Sequence, residues 1–326
     1  MPDSPLKNVT RIVRWADAWQ RRRGLVGLPV AVLKKFGEDS ASNLAVVVAY
    51  YAFFSLFPLL LALVSVLGFV LEGDPSLRAD VVDTALSRIP VIGAQLGGDV
   101  HPLAGSVTAL AVGLAGALWA GLGVTVALGR AFAVIWDVPR VEQPGGLKAR
   151  ARGLAVLAIL AATLVASTAA TGLAVRGGVN AMRGTTVAVS LVVDVVVFLT
   201  IFALLTPPPR RVRDVLPGVA LAALGWLVLE SAGGWYVERT ITHATATYGT
   251  FALVIGVLSW FLLGSHLLLV AAEVNVVLRW RLWPRSLTGD LLPADRLALR
   301  RVAQATRLDR RERITVSFGD RHRRTR

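Results

Sequence analysis

Residues Asn43 to Leu71 read NLAVVVAYYAFFSLFPLLLALVSVLGFVL, a stretch without a single charged side chain. It is longer than the roughly 20 apolar residues that cross a bilayer as a helix, so it can span the membrane with some tilt. Its middle carries two phenols, a hydroxyl and a proline where aliphatic residues are usual. We therefore interpret it as the first membrane span, with a polar face that must meet protein or water.

That polar face is defined by Tyr51, Ser55 and Pro58, which lie at positions i, i+4 and i+7, with Tyr50 beside them. Pro58 has no N–H and leaves the carbonyl of Phe54 without its helical partner. We expect a kink of more than about 20° at this point. Nearby hydroxyls would satisfy the freed carbonyl. The two tyrosines and the serine then have two open roles, packing and contact with a ligand.

The whole chain has the composition of a membrane protein. Of its 326 residues, 55% are hydrophobic and 17% are charged, the mean hydropathy is +0.61, and the apolar residues form long blocks. This pattern excludes a soluble enzyme. The absence of cysteine excludes disulfides, thiol catalysis and thiolate metal sites. The charged first 40 residues indicate that there is no secretory signal peptide.

Five more apolar blocks follow the first one, so the predicted fold is all-α, a polytopic six-span transmembrane helical bundle with amphipathic surface helices. The predicted spans are about 43–71, 103–128, 154–175, 187–205, 215–235 and 248–278. The second span carries small residues at four-residue spacing, which would let another helix backbone approach closely. These small residues are Gly105, Ala109, Gly113, Ala117 and Gly121.

The lysines and arginines between the spans predict the orientation of the bundle. Going along the chain, the segments outside the spans hold 8, 2, 5, 2, 3, 1 and 14 of them, so that high and low counts alternate. Cytoplasmic segments carry the excess of basic residues. We therefore expect a multi-pass protein of the bacterial inner membrane with both termini in the cytoplasm.

The segments outside the spans predict further helices. Residues 1–42 form a basic amphipathic cytoplasmic segment, with a surface helix at 7–23 and an apolar piece at 25–36 that continues along the interface. A second surface helix is expected at 74–89. Residues 279–326 form a basic cytoplasmic tail, disordered over its last dozen residues. One helix face of this tail would comprise Leu297, Val302, Ala305 and Leu308.

Three acidic residues lie inside the predicted spans, and no lysine or arginine accompanies them. Asp194 and Glu230 come to similar depth on two adjacent antiparallel spans. Facing lipid would cost each of them about 2.5 kcal/mol or more. We therefore expect both to face the bundle interior and to share a proton. Two roles are open for this pair, buried hydrogen-bonded glue or a step on a substrate or proton path.

The third acid, Glu273, lies near the inner boundary together with Asn275. We expect these two residues to form an inner polar cluster with Asn43 and Tyr50. The alternative for Glu273 is an interfacial carboxylate near Arg279. The candidate polar path as a whole comprises Asn43, Tyr50, Tyr51, Ser55, Pro58, Asp194, Glu230, Tyr248, Glu273 and Asn275.

No metal, cofactor or nucleic acid is expected. The four histidines, His101, His243, His266 and His322, fall at different depths and do not form a ligand set. No Gly-rich loop ending in Gly-Lys-Ser/Thr occurs, so ATP use is unsupported. The basic charge is explained by membrane orientation and by attraction to anionic lipid headgroups.

Four stretches in order resemble the YihY/BrkB family of bacterial inner-membrane proteins. They are Ala49-Tyr50-Tyr51-Ala52…Ser55…Pro58, Arg213-Asp214-Val215-Leu216-Pro217-Gly218, Tyr248-Gly249-Thr250-Phe251-Ala252 and Ala271-Ala272-Glu273-Val274-Asn275. The last usually reads Gly-Ala-Glu in the family, and Ala271 departs from it, which bears on a close backbone approach there. The resemblance covers about residues 25–285 and implies six spans. It carries over no catalytic residues.

Three functions of different classes are compatible with this resemblance. The family's YhjD-like branch is associated with lipid or lipopolysaccharide export, which implies a transporter of a lipid or other amphiphile that does not hydrolyse ATP. The alternative is a non-transporting membrane scaffold that forms a homo-oligomer or binds a membrane partner. Some members carry a ribonuclease-like label. RNA cleavage is disfavoured, because it needs a paired acid and base or clustered metal ligands, and we expect no enzyme.

Overall fold

The computed structural model describes residues 17, 18, 20, 27–70, 107–176, 183–207, 211–236, 250–288 and 291–310. The regular secondary structure in these ranges is helical, with short turns and irregular segments between the helices. The helices are α1 (Gly27–Glu38), α2 (Ala41–Val70), α3 (Val107–Ile135), α4 (Gly146–Arg176), α5 (Arg183–Leu205), α6 (Val212–Tyr236), α7 (Thr250–Trp280) and α8 (Pro293–Arg310). A 3₁₀ turn, Arg140–Glu142, separates α3 from α4. The predicted all-α class is confirmed.

Five of these helices, α2, α3, α4, α6 and α7, are long and apolar enough to cross a membrane. The apolar part of α5, Val189–Leu205, is shorter, so six spans remain a prediction. Two helices reach well beyond the predicted blocks. α3 runs on to Ile135, because Phe132 and Ile135 are fully buried, and α4 begins at Gly146 rather than at residue 154.

The helices run in alternating directions, and one end of the bundle holds the starts of α2, α4 and α6 with the ends of α3, α5 and α7. We call this the polar end. Its core is aromatic, since the rings of Phe132 on α3 and Phe202 on α5 stack with centroids 5.1 Å apart and planes 11° from parallel. Trp136 and Leu269 are fully buried in the same cluster.

Close contact between α2 and α3 depends on glycine. A Cβ at Gly113 would lie 2.8 Å from the backbone nitrogen of Ala62, and one at Gly116 would lie 3.0 Å from the Cβ of Pro58. The small-residue stripe of α3 contacts two neighbouring helices rather than one. Gly113 faces α2, whereas Gly121 faces Leu157 of α4. Gly123, outside the stripe, receives the ring of Tyr51.

α2 continues as one helix through Pro58. The hydroxyl of Ser55 donates to the carbonyl of Ala52 at 2.7 Å, so it does not serve the Phe54 carbonyl as expected. A serine in a helix more easily reaches a carbonyl of the preceding turn than one beside it. The kink angle stays a prediction.

α6 and α7 also touch at backbone distance. A Cβ at Gly218 would collide with the carbonyl oxygen of Ala271, and the Gly218 N–H donates to Oδ1 of Asn275 at 2.6 Å. Glycine on α6 therefore provides the close approach, although α7 carries alanine at position 271. Two of the four resembling stretches meet at this point.

Both flanking helices pack against other parts of the structure. The buried face of α1, Ala31, Val32 and Lys35, packs against the bundle. α8 is helical as expected. Leu297 and Val302 are exposed, whereas Ala294, Asp295 and Ala298 are buried. Apart from residues 17, 18 and 20, the predicted helices at 7–23 and 74–89 and the last dozen residues lie outside the described ranges.

The α2–α3 contact predicts the effect of a single methyl group. Gly113→Ala should destabilise the bundle by on the order of 1–3 kcal/mol, because the methyl meets helix backbone that cannot rotate away. Gly37→Ala is the matched control, since a Cβ there meets nothing within 4 Å and alanine favours the helix. Thermal unfolding in one detergent should show a lower midpoint for the first variant only. Equal midpoints would contradict this packing.

Candidate functional site: a buried carboxyl and lysine cluster

Lys35 of α1 points into the polar end, where its side chain is 4% exposed. Its Nζ lies 2.6 Å from Oδ2 of Asp39, 3.7 Å from Oδ1 of Asp137 and 3.9 Å from Oε2 of Glu273. These three carboxyl groups are themselves nearly or fully buried. One ammonium group thus joins α1, the α1–α2 junction, the end of α3 and α7. We call these four residues the lysine cluster.

Local sequence places each member. Lys35 follows Ala31 and Val32 on the buried face of α1, so the helix period carries it inward. Asp137 is the residue that ends α3, with φ of 50°. Its N–H and that of Val138 bond back to the carbonyls of Val134 and Ala133, a Schellman helix end. Aspartate tolerates this left-handed conformation better than most residues do.

Burial and charge act on these groups in opposite directions. Burial alone would lower the pKa of Lys35, but the attraction of Glu273, Asp137 and Asp39 outweighs it, so the pKa is raised and the ammonium stays charged. Burial raises the pKa of Asp39, and Lys35 offsets this effect only in part. The carboxyl groups of Asp39 and Glu273 are close enough to interact electrostatically, and neither oxygen of Glu273 has a hydrogen-bond partner among the described residues. Two interacting carboxyl groups in a buried site do not readily ionise together, so we expect one of them to hold a proton.

A second cation reaches the cluster from α8. Nε of Arg301 lies 3.2 Å from Oδ2 of Asp137, and its guanidinium lies 3.7 Å above the ring of Trp280, a favourable cation–π contact. Two cations therefore meet three carboxyl groups. A single proton shared by Asp39 and Glu273 would make the whole arrangement neutral, as a buried site favours.

A neighbouring network fastens α8 and the 284–288 segment to α1. Arg285, 1% exposed, donates through Nε to Asp295 at 2.6 Å and through Nη2 to both oxygens of Glu38 at 2.7 and 2.8 Å. Lys34 donates to Asp295 at 2.8 Å. Burial would raise the pKa of Asp295, but the bonds from Lys34, the Ser286 N–H and Arg285 lower it. Lys34 and Lys35, adjacent on α1, therefore anchor two different networks.

The structure brings together only some residues of the expected inner cluster. Glu273 and Asn275 are both fully buried at the polar end. Asn43 and Tyr50, their expected partners, are exposed on α2, so this part of the expectation is wrong. The start of α2 turns these two side chains outward, and Lys35 and Asp39 take their place. Asn275 bonds Gly218 instead.

The acids expected as a buried pair are not enclosed together. Asp194 is half-buried, with Oδ2 buried and without a hydrogen-bond partner among the described residues. Glu230 lies within electrostatic range of it, but its side chain is exposed and accepts a bond from Nε1 of Trp226 at 2.8 Å. The Trp226 indole, one helical turn away on α6, is therefore the hydrogen-bond partner of Glu230. We expected Asp194 in that place.

The remaining candidates are scattered. Tyr51 is 43% exposed, with its ring against Gly123 on α3. Tyr248, like His101, His243 and His322, lies outside the described residues. His266 contacts the carbonyl of Leu262 at 2.8 Å through Nδ1 and the ring of Phe36. Among the described residues, no group of three or more acids or histidines has the geometry to hold a metal ion.

Sequence reasoning missed Lys35, Asp39 and Asp137 as site residues. The signal for Lys35 was its position three and four residues after Val32 and Ala31, which puts a lysine on an apolar helix face. In the charge pattern it is only one of the eight basic residues before the first span. Asp39 and Asp137 carry no local signal, because their role depends on which helix ends meet.

These features define a multi-pass α-helical membrane protein with an ionic cluster at one end of its bundle. The chain belongs to the family described as "Virulence factor BrkB", whose model matches residues 32–289. That range includes all four residues of the lysine cluster. Arg301 lies beyond it.

Two relatives are similar to this chain. The inner membrane protein YhjD of Escherichia coli strain K12 is 22% identical over 274 residues, which cover 77% of this chain and 81% of YhjD. The putative ribonuclease-like protein YfkH of Bacillus subtilis strain 168 is 30% identical over 93 residues, 28% of this chain and only 34% of YfkH. No solved structure matches.

The shared proton predicts how stability varies with pH. Because its pKa in the folded protein is raised above the ordinary 3.8, Asp39 contributes stability that is full below that value and is lost as pH rises through the raised pKa. Asp39→Asn should remove most of this dependence, since the amide oxygen still accepts from Lys35 while its NH₂ donates to Glu273.

The measurement is the thermal midpoint of both proteins in one detergent from pH 3.8, the ordinary pKa of aspartate, to mildly alkaline pH. The difference between them should grow in favour of the variant toward alkaline pH. Asp295→Asn is the control, because the lowered pKa of Asp295 places its effect below pH 3.8. Parallel curves for wild type and Asp39→Asn would contradict a proton in the cluster.

Proposed function

We propose that the protein moves a lipid or another amphiphile across the membrane without hydrolysing ATP, and that proton exchange in the lysine cluster accompanies the movement. The observation that carries this proposal is the fully buried Glu273, placed 3.9 Å from the Lys35 ammonium group at a junction of helices. Ionisable groups buried in a membrane bundle are costly and commonly mark proton or substrate paths.

The cluster has the properties of a two-state element. With one proton bound, two cations balance three carboxyl groups, and α1 and α8 stay against the bundle. Loss of that proton leaves a net negative charge in a low-dielectric site, which favours separation of the groups and entry of water. The charge balance around this proton also depends on Lys35 on α1 and on Asp137 after α3. Arg301 on α8 contributes through its contact with Asp137.

Asp194 and Glu230 supply the second part of the proposed path. They lie on α5 and α6 in the other half of the bundle, one half-buried and one exposed. A carboxyl pair at this depth offers a second place for a proton between the lysine cluster and the far side. The ring of Tyr51 packs against α3, and we assign Tyr51 no role in this path.

A scaffold that binds a membrane partner is the second candidate. The observation in its favour is the set of exposed apolar side chains on α8, where Leu297, Leu299 and Val302 are 40%, 44% and 49% exposed. These side chains could pack on another protein or on lipid. Enzymatic activity is not part of either proposal.

We also propose that the polar end faces the cytoplasm of a bacterial cell and its inner membrane, as the count of basic residues predicts. Reporter fusions after Gly178 and after Thr288 should then report opposite sides, periplasmic and cytoplasmic respectively. The same side for both fusions would overturn this orientation.

Reconstituted protein tests the transport proposal. Liposomes carrying fluorescent phosphatidylglycerol or phosphatidylethanolamine, with and without a pH gradient, report exchange between leaflets when a membrane-impermeant reductant quenches the outer label. Wild type should speed up exchange of at least one lipid in a gradient-dependent way. Glu273→Gln, near-isosteric with the protonated acid, should remove the dependence on the gradient. Leu297→Gln is the matched control on the exposed face of α8 and should behave as wild type.

Two results would contradict the proposal. Wild-type liposomes that exchange both lipids no faster than protein-free liposomes would favour the scaffold. A Glu273→Gln protein that keeps gradient-dependent exchange would remove the lysine cluster from the mechanism.

A further inference from the structure

A second charged site lies at the polar end, between α3, the start of α4 and the chain after α5. It is a cavity of about 190 Å³ lined by three arginines, Arg130, Arg150 and Arg152. Its other polar wall is formed by Thr125 and Gln143, and no aspartate or glutamate lines it. It is separate in composition from the lysine cluster, where carboxyl groups outnumber cations.

The described residues do not compensate the charges in this cavity. None of the three arginines forms an ion pair with a described residue. Arg130 and Arg150 are exposed at the mouth, and Arg152 is half-buried behind them. Nη1 of Arg152 is buried without a hydrogen bond to any described residue. A buried charged donor without an acceptor is unfavourable, so this atom favours an anionic partner.

Helix packing holds Arg152 in that position. A Cβ on the next residue, Gly153, would collide with Oγ1 of Thr125, so glycine brings α4 directly against α3. Gly146 at the first turn of α4 also lines the cavity. The first N–H groups of a helix have no partner within the helix and favour anions.

We propose that this cavity binds the phosphate group of an anionic ligand, and that in the membrane the ligand is an anionic phospholipid headgroup. The planar guanidinium group matches phosphate oxygens in a bidentate manner. Basic pockets between membrane helices on the cytoplasmic side are a known way to hold such headgroups. Three arginines without carboxylate partners select against zwitterionic headgroups, whose ammonium group they repel.

The size of the cavity and its surroundings agree with this ligand. A volume of about 190 Å³ is below the roughly 300 Å³ at which pockets begin to enclose whole drug-sized molecules. It suits a headgroup and not its acyl chains. Beyond the cavity, α4 exposes Leu154, Leu164 and Val165, an apolar surface along which acyl chains can lie.

This inference deepens the proposed function, because it names a headgroup class. Binding measurements alone test the headgroup site. The site can therefore be refuted when transport is observed, and it can be supported when transport is not observed. The probes are inorganic phosphate, short-chain phosphatidylglycerol and short-chain phosphatidylcholine, each added to the purified full chain in detergent.

The first experiment needs no variant. Phenylglyoxal modifies accessible arginines, and peptide mass spectrometry reports the extent at each position. Phosphatidylglycerol should protect Arg130, Arg150 and Arg152 but not Arg213, which is exposed at the same end and does not line the cavity. Phosphatidylcholine should protect none of them.

The second experiment compares variants by native mass spectrometry. Arg152→Gln should weaken phosphatidylglycerol binding about tenfold or more, the effect of one lost charge-assisted contact. Arg213→Gln removes the same charge outside the cavity and should change binding less than twofold. Arg152→Lys keeps the positive charge but lacks the planar guanidinium group. Its loss of phosphatidylglycerol binding should lie between those of the other two variants.

Each result decides between named outcomes. Protection by phosphatidylglycerol together with a selective loss in Arg152→Gln supports the headgroup site. Protection by inorganic phosphate alone supports the phosphate chemistry and makes a free anion the ligand. Equal modification of all four arginines with every probe, or an equal loss of binding in Arg213→Gln, would overturn the proposal. If Arg152→Gln does not fold, the protection experiment on wild type still decides.

Discussion

The polar end depends on one constraint, the burial of the Lys35 ammonium group among three carboxyl groups. A buried charge persists only with compensation, and here each compensating group comes from a different part of the chain. The junction after α1 supplies Asp39, the end of α3 supplies Asp137 and α7 supplies Glu273. Removal of any one of them would change the balance for all the others, so these elements are held in a common position.

Two separate ionic networks lie at this end, and each contains one of two adjacent lysines. Lys35 reaches into the bundle, whereas Lys34 with Arg285 and Asp295 fixes α8 and the 284–288 segment over α1. The lysine cluster has a carboxyl excess, so we expect it to hold a proton. The arginine cavity between α3 and α4 has the opposite excess. Opposite charge imbalances at one end of a membrane bundle suit a protein that handles a proton and an anionic headgroup there.

Local patterns in the sequence predict the helices but not their partners. Long apolar blocks specify the all-α class, because a bilayer admits little else, and Gly113 and Gly121 were identified as packing positions by their spacing alone. That spacing does not reveal which neighbour each glycine meets. The sequence did not reveal the neighbours of Glu273 in the inner cluster for the same reason. Depth arguments put Asn43 level with Glu273, but the rotation of α2 turns Asn43 outward and leaves the place to Lys35 from a helix interpreted as a surface segment.

The central claim is that Asp39 and Glu273 share a proton at neutral pH. Infrared spectroscopy of the purified protein tests it most directly, since a protonated carboxyl group absorbs apart from a carboxylate. Spectra of wild type minus Asp39→Asn, and of wild type minus Glu273→Gln, cancel the contributions of all other acids. Our account predicts a protonated carboxyl band at neutral pH in at least one difference, which disappears at alkaline pH. Differences that contain carboxylate bands alone would contradict it.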